Sequence, residues 1–156
     1  MAIPMTIEKY LKDQGVEYDL LPHTRTRSSW QTMSKSHVSG DSLAKAVILR
    51  GEEGYWMAII PASHRLRIHE VEKLLDRRVG LATEAEISTL FPDCDVGAVP
   101  PMGSAYSMNM ILDDSIDEQH DVFLEGGDHC NLVHMSRGEF HKLTQNAPHG
   151  RISAHG

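Results

Sequence analysis

Apolar residues recur along the chain at two spacings, one helical and one extended. Ile7, Tyr10 and Leu11 share one face of a short helix that Thr6 can cap and Gly15 can end. Val16 to Leu21 reads as extended and stops at Pro22. His23 to Ser29 is polar, and Ser29 can cap a helix that carries Trp30 and Met33 and finishes near Gly40. Ala44 to Leu49 is apolar and branched, Gly51-Glu52-Glu53-Gly54 supplies a turn, and Tyr55 to Ile60 returns before Pro61. That pattern predicts a hairpin. Ile68, Val71, Leu74 and Leu75 predict an amphipathic helix whose polar face carries Glu72, Lys73 and Arg77. Thr83 and Glu86 form a capping box ahead of Ile87, Leu90 and Phe91, and Pro92 ends that helix.

Val96 to Gly103 is a Gly/Pro-rich loop leading into a strand at Met108 to Leu112. Two further strands are expected at Val122 to Glu125 and Asn131 to Met135, separated by Gly126-Gly127-Asp128-His129. A second capping box, Ser136 with Glu139, opens a last helix through Phe140 and Leu143. Residues 146–156 are polar and expected to fray. Short hairpins outnumber long crossovers, so the expected fold is α/β, one domain over residues 1–145, with a mixed, largely antiparallel sheet flanked by helices.

A length of 156 residues suits one domain. The opening MAIPMTIEKYLKD places a proline and charges where a signal peptide needs an apolar core. No apolar run approaches the roughly 20 residues that span a membrane. Cys94 and Cys130 form no CxxC pair and read as reduced thiols, so the expected setting is cytoplasmic. The net charge of −7 argues against a broad grip on duplex nucleic acid, and neither DNA nor a membrane is an expected partner. The charge is uneven, however. Residues 21–80 hold ten Lys/Arg against six Asp/Glu, while residues 81–156 hold three against twelve. A basic middle can meet a few phosphates, or it can be a solvated surface with no partner.

The run Leu43-Ala44-Lys45-Ala46-Val47-Ile48, followed by Trp56-Met57-Ala58-Ile59-Ile60-Pro61-Ala62, resembles the YbaK/EbsC family. Arg65-Leu66, Leu81-Ala82, Glu84 to Glu86, Gly97-Ala98-Val99-Pro100-Pro101 and Asp113-Asp114-Ser115 fit the same pattern in order and spacing. The resemblance runs from about Thr6 to Leu143. It implies an aminoacyl-tRNA deacylase, the activity of the editing domain found in bacterial prolyl-tRNA synthetases and of its free-standing relatives. It also implies a central mixed sheet, a cleft beside the lysine strand, and no metal or cofactor. The implied partner is the 3′ acceptor end of a misacylated tRNA, with an aminoacyl-tRNA synthetase as a further candidate. The rival is a non-catalytic module of the same fold that binds tRNA or a small ligand.

Each site residue has a bland reading beside the functional one. Lys45 projects from the strand face opposite Ala44 and Ala46, where it can simply discourage edge pairing. In the family a lysine here lines the pocket, which makes it a cation for the terminal phosphate or ester oxygen, or a proton acceptor. Gly97, Ala98 and Val99 can present backbone N–H groups to a developing oxyanion, while Pro100 and Pro101 only stiffen the loop. The alternative is a rigid turn. His129 can donate to the carbonyl or ribose, or relay a proton, with Gly126, Gly127 and Asp128 shaping its turn. Arg25, Arg27, Ser28 and Ser29 correspond to the loop that borders the pocket in the family. Cys130 and His134 point to one side of a strand and His129 to the other, so these three do not converge on a metal. No Ser or Cys nucleophile presents itself, which leaves direct attack by water. A sieve for small residues such as Ala, Ser or Cys is the expected specificity.

Overall fold

The computed structural model describes residues 3–23, 38–95 and 97–156. Helix α1 (Met5–Asp13) buries Ile7 and Leu11 completely, as their spacing predicts. Its N-cap is Pro4 rather than Thr6, and no side chain caps it; the Pro4 carbonyl accepts from Ile7 and Glu8 instead. Gly15 ends the helix at φ +65°. Strand β1 (Asp19–Pro22) starts later than the apolar run suggests and pairs with Asn131 to His134. The expected helix at Trp30 and Met33 lies outside the described residues.

The predicted hairpin forms from β2 (Leu43–Gly51) and β3 (Gly54–Pro61), in register from Ala44↔Pro61 to Gly51↔Gly54. A short β4 (His64–Leu66) follows, then α2 (Ile68–Leu75), β5 (Val79–Leu81) and α3 (Glu84–Leu90). Thr83 and Glu86 make the full reciprocal capping box on α3. A 3₁₀ turn at Gly103–Tyr106 precedes β6 (Asn109–Asp113), and a second at Asp114–Glu118 precedes β7 (Asp121–Glu125). Strand β8 (Asn131–Ser136) and helix α4 (Arg137–Thr144) follow. Ser136 caps α4 by accepting from the Glu139 N–H, but the box stays half made. The Glu139 carboxylate is drawn to the Glu17 N–H and to Lys142.

The chain closes with β9 (His149–Gly150) and β10 (Ser153–His155), so the tail does not fray. It stays ordered because Ile152 is buried and the Asp113 carboxylate accepts from the N–H groups of Ile152 and Ser153 at 2.8 and 2.9 Å. A buried side chain and two charge-assisted bonds outweigh the polarity of the segment.

The main sheet runs β1-β8-β7-β2-β3-β6-β9, with β5 also paired to β2; β10 and β4 form a separate ribbon. Pairs β2·β7, β3·β6 and β6·β9 are parallel and the other four are antiparallel. Period-two alternation sorts its apolar residues. Ala44, Ile48, Met57, Ile59, Leu112, Leu124 and Val133 pack with α1 and α4 on one face. Leu49, Ala58, Ile60 and Ile111 pack with Val71 of α2 and Ile152 on the other. The sheet is therefore covered on both sides, and its strand ends and edges are where a ligand can enter.

Candidate functional site

The site follows from how β2 is bordered. On one side β3 pairs with it from Ala44 to Gly51. On the other, β7 pairs only at Leu43 and Ala44, and β5 only from Leu49 to Gly51. The carbonyl of Ser42 accepts from the Phe123 N–H and that of Ile48 from the Ala82 N–H, so even-numbered residues direct their backbone groups away from β3. Ala46 is the even residue between these two contacts. Among the described residues no strand meets it, and its N–H and C=O face a gap in the sheet.

Lys45 borders this gap with its side chain on the Leu43 and Val47 face. It is half-buried, and among the described residues it makes no hydrogen bond or ion pair. Burial, and then the positive charge of Arg65, pulls its ammonium below the usual lysine range. An incompletely solvated, unpaired cation is costly, and such groups concentrate at functional sites. Glu125 is 1% exposed and shares the Phe123 face of β7, one residue beyond the Leu124↔Ala44 pair. Parallel register therefore puts it on the Lys45 face of the sheet. Sequence reasoning treated Glu125 as a strand terminus. The alternation of Phe123 and Glu125 was legible, but the parallel partner was not.

The Gly126 to His129 turn continues β7 past the gap. A Cβ on Gly126 would stand 2.7 Å from the Asn131 carbonyl oxygen, and one on Gly127, at φ +98°, 2.8 Å from the Pro4 ring. Close packing thus accounts for both glycines. The Asp128 carboxylate accepts from the N–H groups of Cys130 and Asn131, both at 2.9 Å, and from the Asn131 side chain at 2.7 Å. Those bonds fix the turn. They leave His129 3% exposed at φ +59°, a buried histidine and not a surface one.

The loop from Gly97 to Pro101 is tied to that turn, since the Asp95 N–H donates to the Gly127 carbonyl at 2.8 Å. Ala98 is buried and spends its N–H on the Asp95 carbonyl at 3.1 Å, which removes it from the expected set of oxyanion donors. Gly97 is exposed, Val99 half-buried, and Pro100 and Pro101 buried. Val99 and Ala46 both pack against the same apolar cluster. The loop therefore lies on the Ala46 face of the sheet and Lys45 projects from the other, so the two can meet only at the edge gap. An apolar cavity of about 160 Å³ adjoins Gly97 and Val99, bounded by Ile87, Phe91 and Cys94. Cys94 is no nucleophile: burial, with Asp93 and Asp95 adding to it, pushes its thiol up to about 12. A cavity of about 680 Å³ between α1, β6 and α4 is lined by none of the candidate site residues named from the sequence. Arg25, Arg27, Ser28 and Ser29 lie outside the described residues. Among those described, no helix is long and apolar enough to cross a membrane.

A profile of the aminoacyl-tRNA editing domain matches residues 23–143. No curated protein matches the chain. Among solved structures, the hypothetical protein APE2540 shares 25% identity at a TM-score of 0.84, with 96% of this chain and 99% of that one covered. A candidate trans-editing enzyme for prolyl tRNA synthetase shares 21% at a TM-score of 0.80, covering 96% and 95%. A candidate signal transduction protein from Marinobacter aquaeolei VT8 shares 21% at a TM-score of 0.76, covering 97% of this chain but 31% of that one.

Proposed function

The chain belongs to the aminoacyl-tRNA editing domain family, and from that premise we propose a deacylase that acts in trans on tRNA misacylated with a small amino acid. The observation that carries this reading is the half-buried, unpaired Lys45 beside the open backbone of Ala46. The 3′ end of the tRNA enters at the gap, and the Lys45 ammonium holds its terminal phosphate or ester oxygen. Backbone N–H groups then face the ester carbonyl. Ala46 supplies one in place of Ala98, and Gly97 and Val99 are the loop's remaining candidates; each aligned donor is worth roughly 3 kcal/mol in the transition state. Water attacks the carbonyl carbon, the bond to the ribose oxygen breaks, and that oxygen takes up a proton. The products are the free amino acid and uncharged tRNA. His129 carries the proton, and Gly126, Gly127 and Asp128 hold it in place. Pro100 and Pro101 keep the loop in shape.

The 160 Å³ apolar cavity beside Gly97 and Val99 suits a small side chain. A synthetase discriminates against a residue one methylene smaller by only about 1–3 kcal/mol, so a second site that admits the small error is needed. The structural neighbour linked to prolyl tRNA synthetase makes tRNA for proline the first to test. The assay is multiple-turnover hydrolysis of that tRNA carrying Ala, Ser, Cys or Pro. Turnover of a small residue, with Pro spared, is the expected result. Binding without turnover of any substrate would replace the enzyme with a regulatory module.

A further inference from the structure

The structure assigns a site for one divalent transition-metal ion to Asp41, His64 and His155. One ligand atom from each lies within 4.8 Å of the others, although the residues come from three separate segments. His64 and His155 face each other directly across the antiparallel ribbon of β4 and β10. Opposed residues in such a pair hold their Cβ atoms about 5 Å apart, so the imidazoles converge. Here the ring centroids are 4.3 Å apart at 61°. Asp41, two residues before β2, brings its carboxylate to His155 Nε2 at 2.9 Å and accepts from the Ser63 hydroxyl.

The supporting bonds resemble those of a ligating histidine. His64 is 8% exposed, and its Nδ1 is hydrogen-bonded to Ser153 Oγ at 2.8 Å. That bond fixes the ring and leaves Nε2 as the ligating atom, the usual way a protein orients a metal-binding imidazole. A Zn–N bond of about 2.0 Å puts neighbouring tetrahedral ligand atoms roughly 3.3 Å apart, which small side-chain rotations reach from the present spacing. Two imidazoles and a carboxylate select zinc and its neighbours over calcium or magnesium. The positive charge of Lys45 weakens the site, and the buried Asp113 opposes it. A bound ion would lock the ribbon to the segment that leads into β2. None of this depends on the deacylase reading.

The test uses tag-free protein, stripped by chelation, exchanged into buffer and titrated with zinc chloride by calorimetry and with cobalt(II) by visible absorption. One ion per chain is expected. Asp41→Asn and His155→Ala, both at exposed or half-buried positions, should each weaken binding roughly tenfold or more. His155→Cys should restore it, since a thiolate ligates zinc. Zinc at 100-fold above Kd should raise the unfolding midpoint by roughly 5–10 °C. His149→Ala, which breaks the other carboxylate–histidine group with Asp114 and Asp117, should change nothing. Failure to take up one ion, uptake that survives both Asp41→Asn and His155→Ala, or uptake lost with His149→Ala would overturn the assignment.

Discussion

On the proposed function, Lys45 sets activity against stability within one side chain. Its folded pKa lies below that of an unfolded lysine because burial disfavours the ammonium. Between the two values the unfolded chain holds a proton that the folded chain does not, so stability rises with pH through that window. Wherever Lys45 is protonated in the folded state, its charge is a liability to the fold. Lys45→Met should therefore abolish deacylation while raising stability by about 1 kcal/mol. Denaturant melts read beside turnover check both halves. A destabilised Lys45→Met protein would mean that the ammonium has a partner holding the fold together.

At the scale of elements, two features fix the strands and turn beside the candidate site. His134 on β8 stands between Asp19 of β1 and Asp121 of β7, at 2.7 and 2.8 Å, so one imidazolium ties three strands. Burial pulls its pKa down, but the two carboxylates outweigh that and raise it overall. A raised histidine gives its full stabilisation below its unfolded value near 6.5 and loses it as pH rises through the folded value. The wild type should thus lose stability above about pH 6.5, with His134→Gln nearly flat over the same range. Both carboxylates are mostly exposed, so the difference should stay within about 1 kcal/mol and shrink in salt. Denaturant melts from pH 6 to 8 measure it. The second feature is the turn at Gly127, whose φ of +98° and contact with Pro4 leave no room for a side chain. Gly127→Ala should cost roughly 1–3 kcal/mol. A wild-type melting temperature in that variant would show that the turn relaxes freely.

The whole molecule poses the problem of an acidic protein meeting a polyanion. Positive excess is confined to residues 21–80, and Lys45, Arg50 and Arg65 of the described part fall within it. Contact limited to two to four phosphates would give log K against log salt a slope of about −1.5 to −3, at roughly 0.7 per contact on a single strand. Binding of a nonhydrolysable aminoacyl-tRNA analogue across a salt series, beside an acceptor-stem minihelix carrying the same aminoacyl group, measures that slope. A slope near −8, or a minihelix that fails to bind, would place the grip on the body of the tRNA.

The sequence by itself determined what depends on neighbours along the chain. Alternation in β2, β3 and β7 told which residues face which side, the turn between Gly51 and Gly54 set the hairpin, and Thr83 with Glu86 started α3. Lys45 and the Gly97 and Gly126 segments stood out for the same reason, since each is a local pattern set in a familiar order. Tertiary structure alone decided the rest. The backbone of Ala46 faces a gap because β7 stops and β5 starts on either side of it, and no local pattern states where a parallel partner ends. Ala98 loses its N–H to a carbonyl three residues back, a choice made when the loop folds onto the glycine turn. Residues 146–156 look frayed by composition, yet Ile152 and Asp113 hold them in place. Asp41 and His155 lie 114 positions apart and meet only because β10 pairs with β4. Side-chain direction is a local property of the backbone, whereas strand order and the groups left unpaired by it depend on contacts between distant segments.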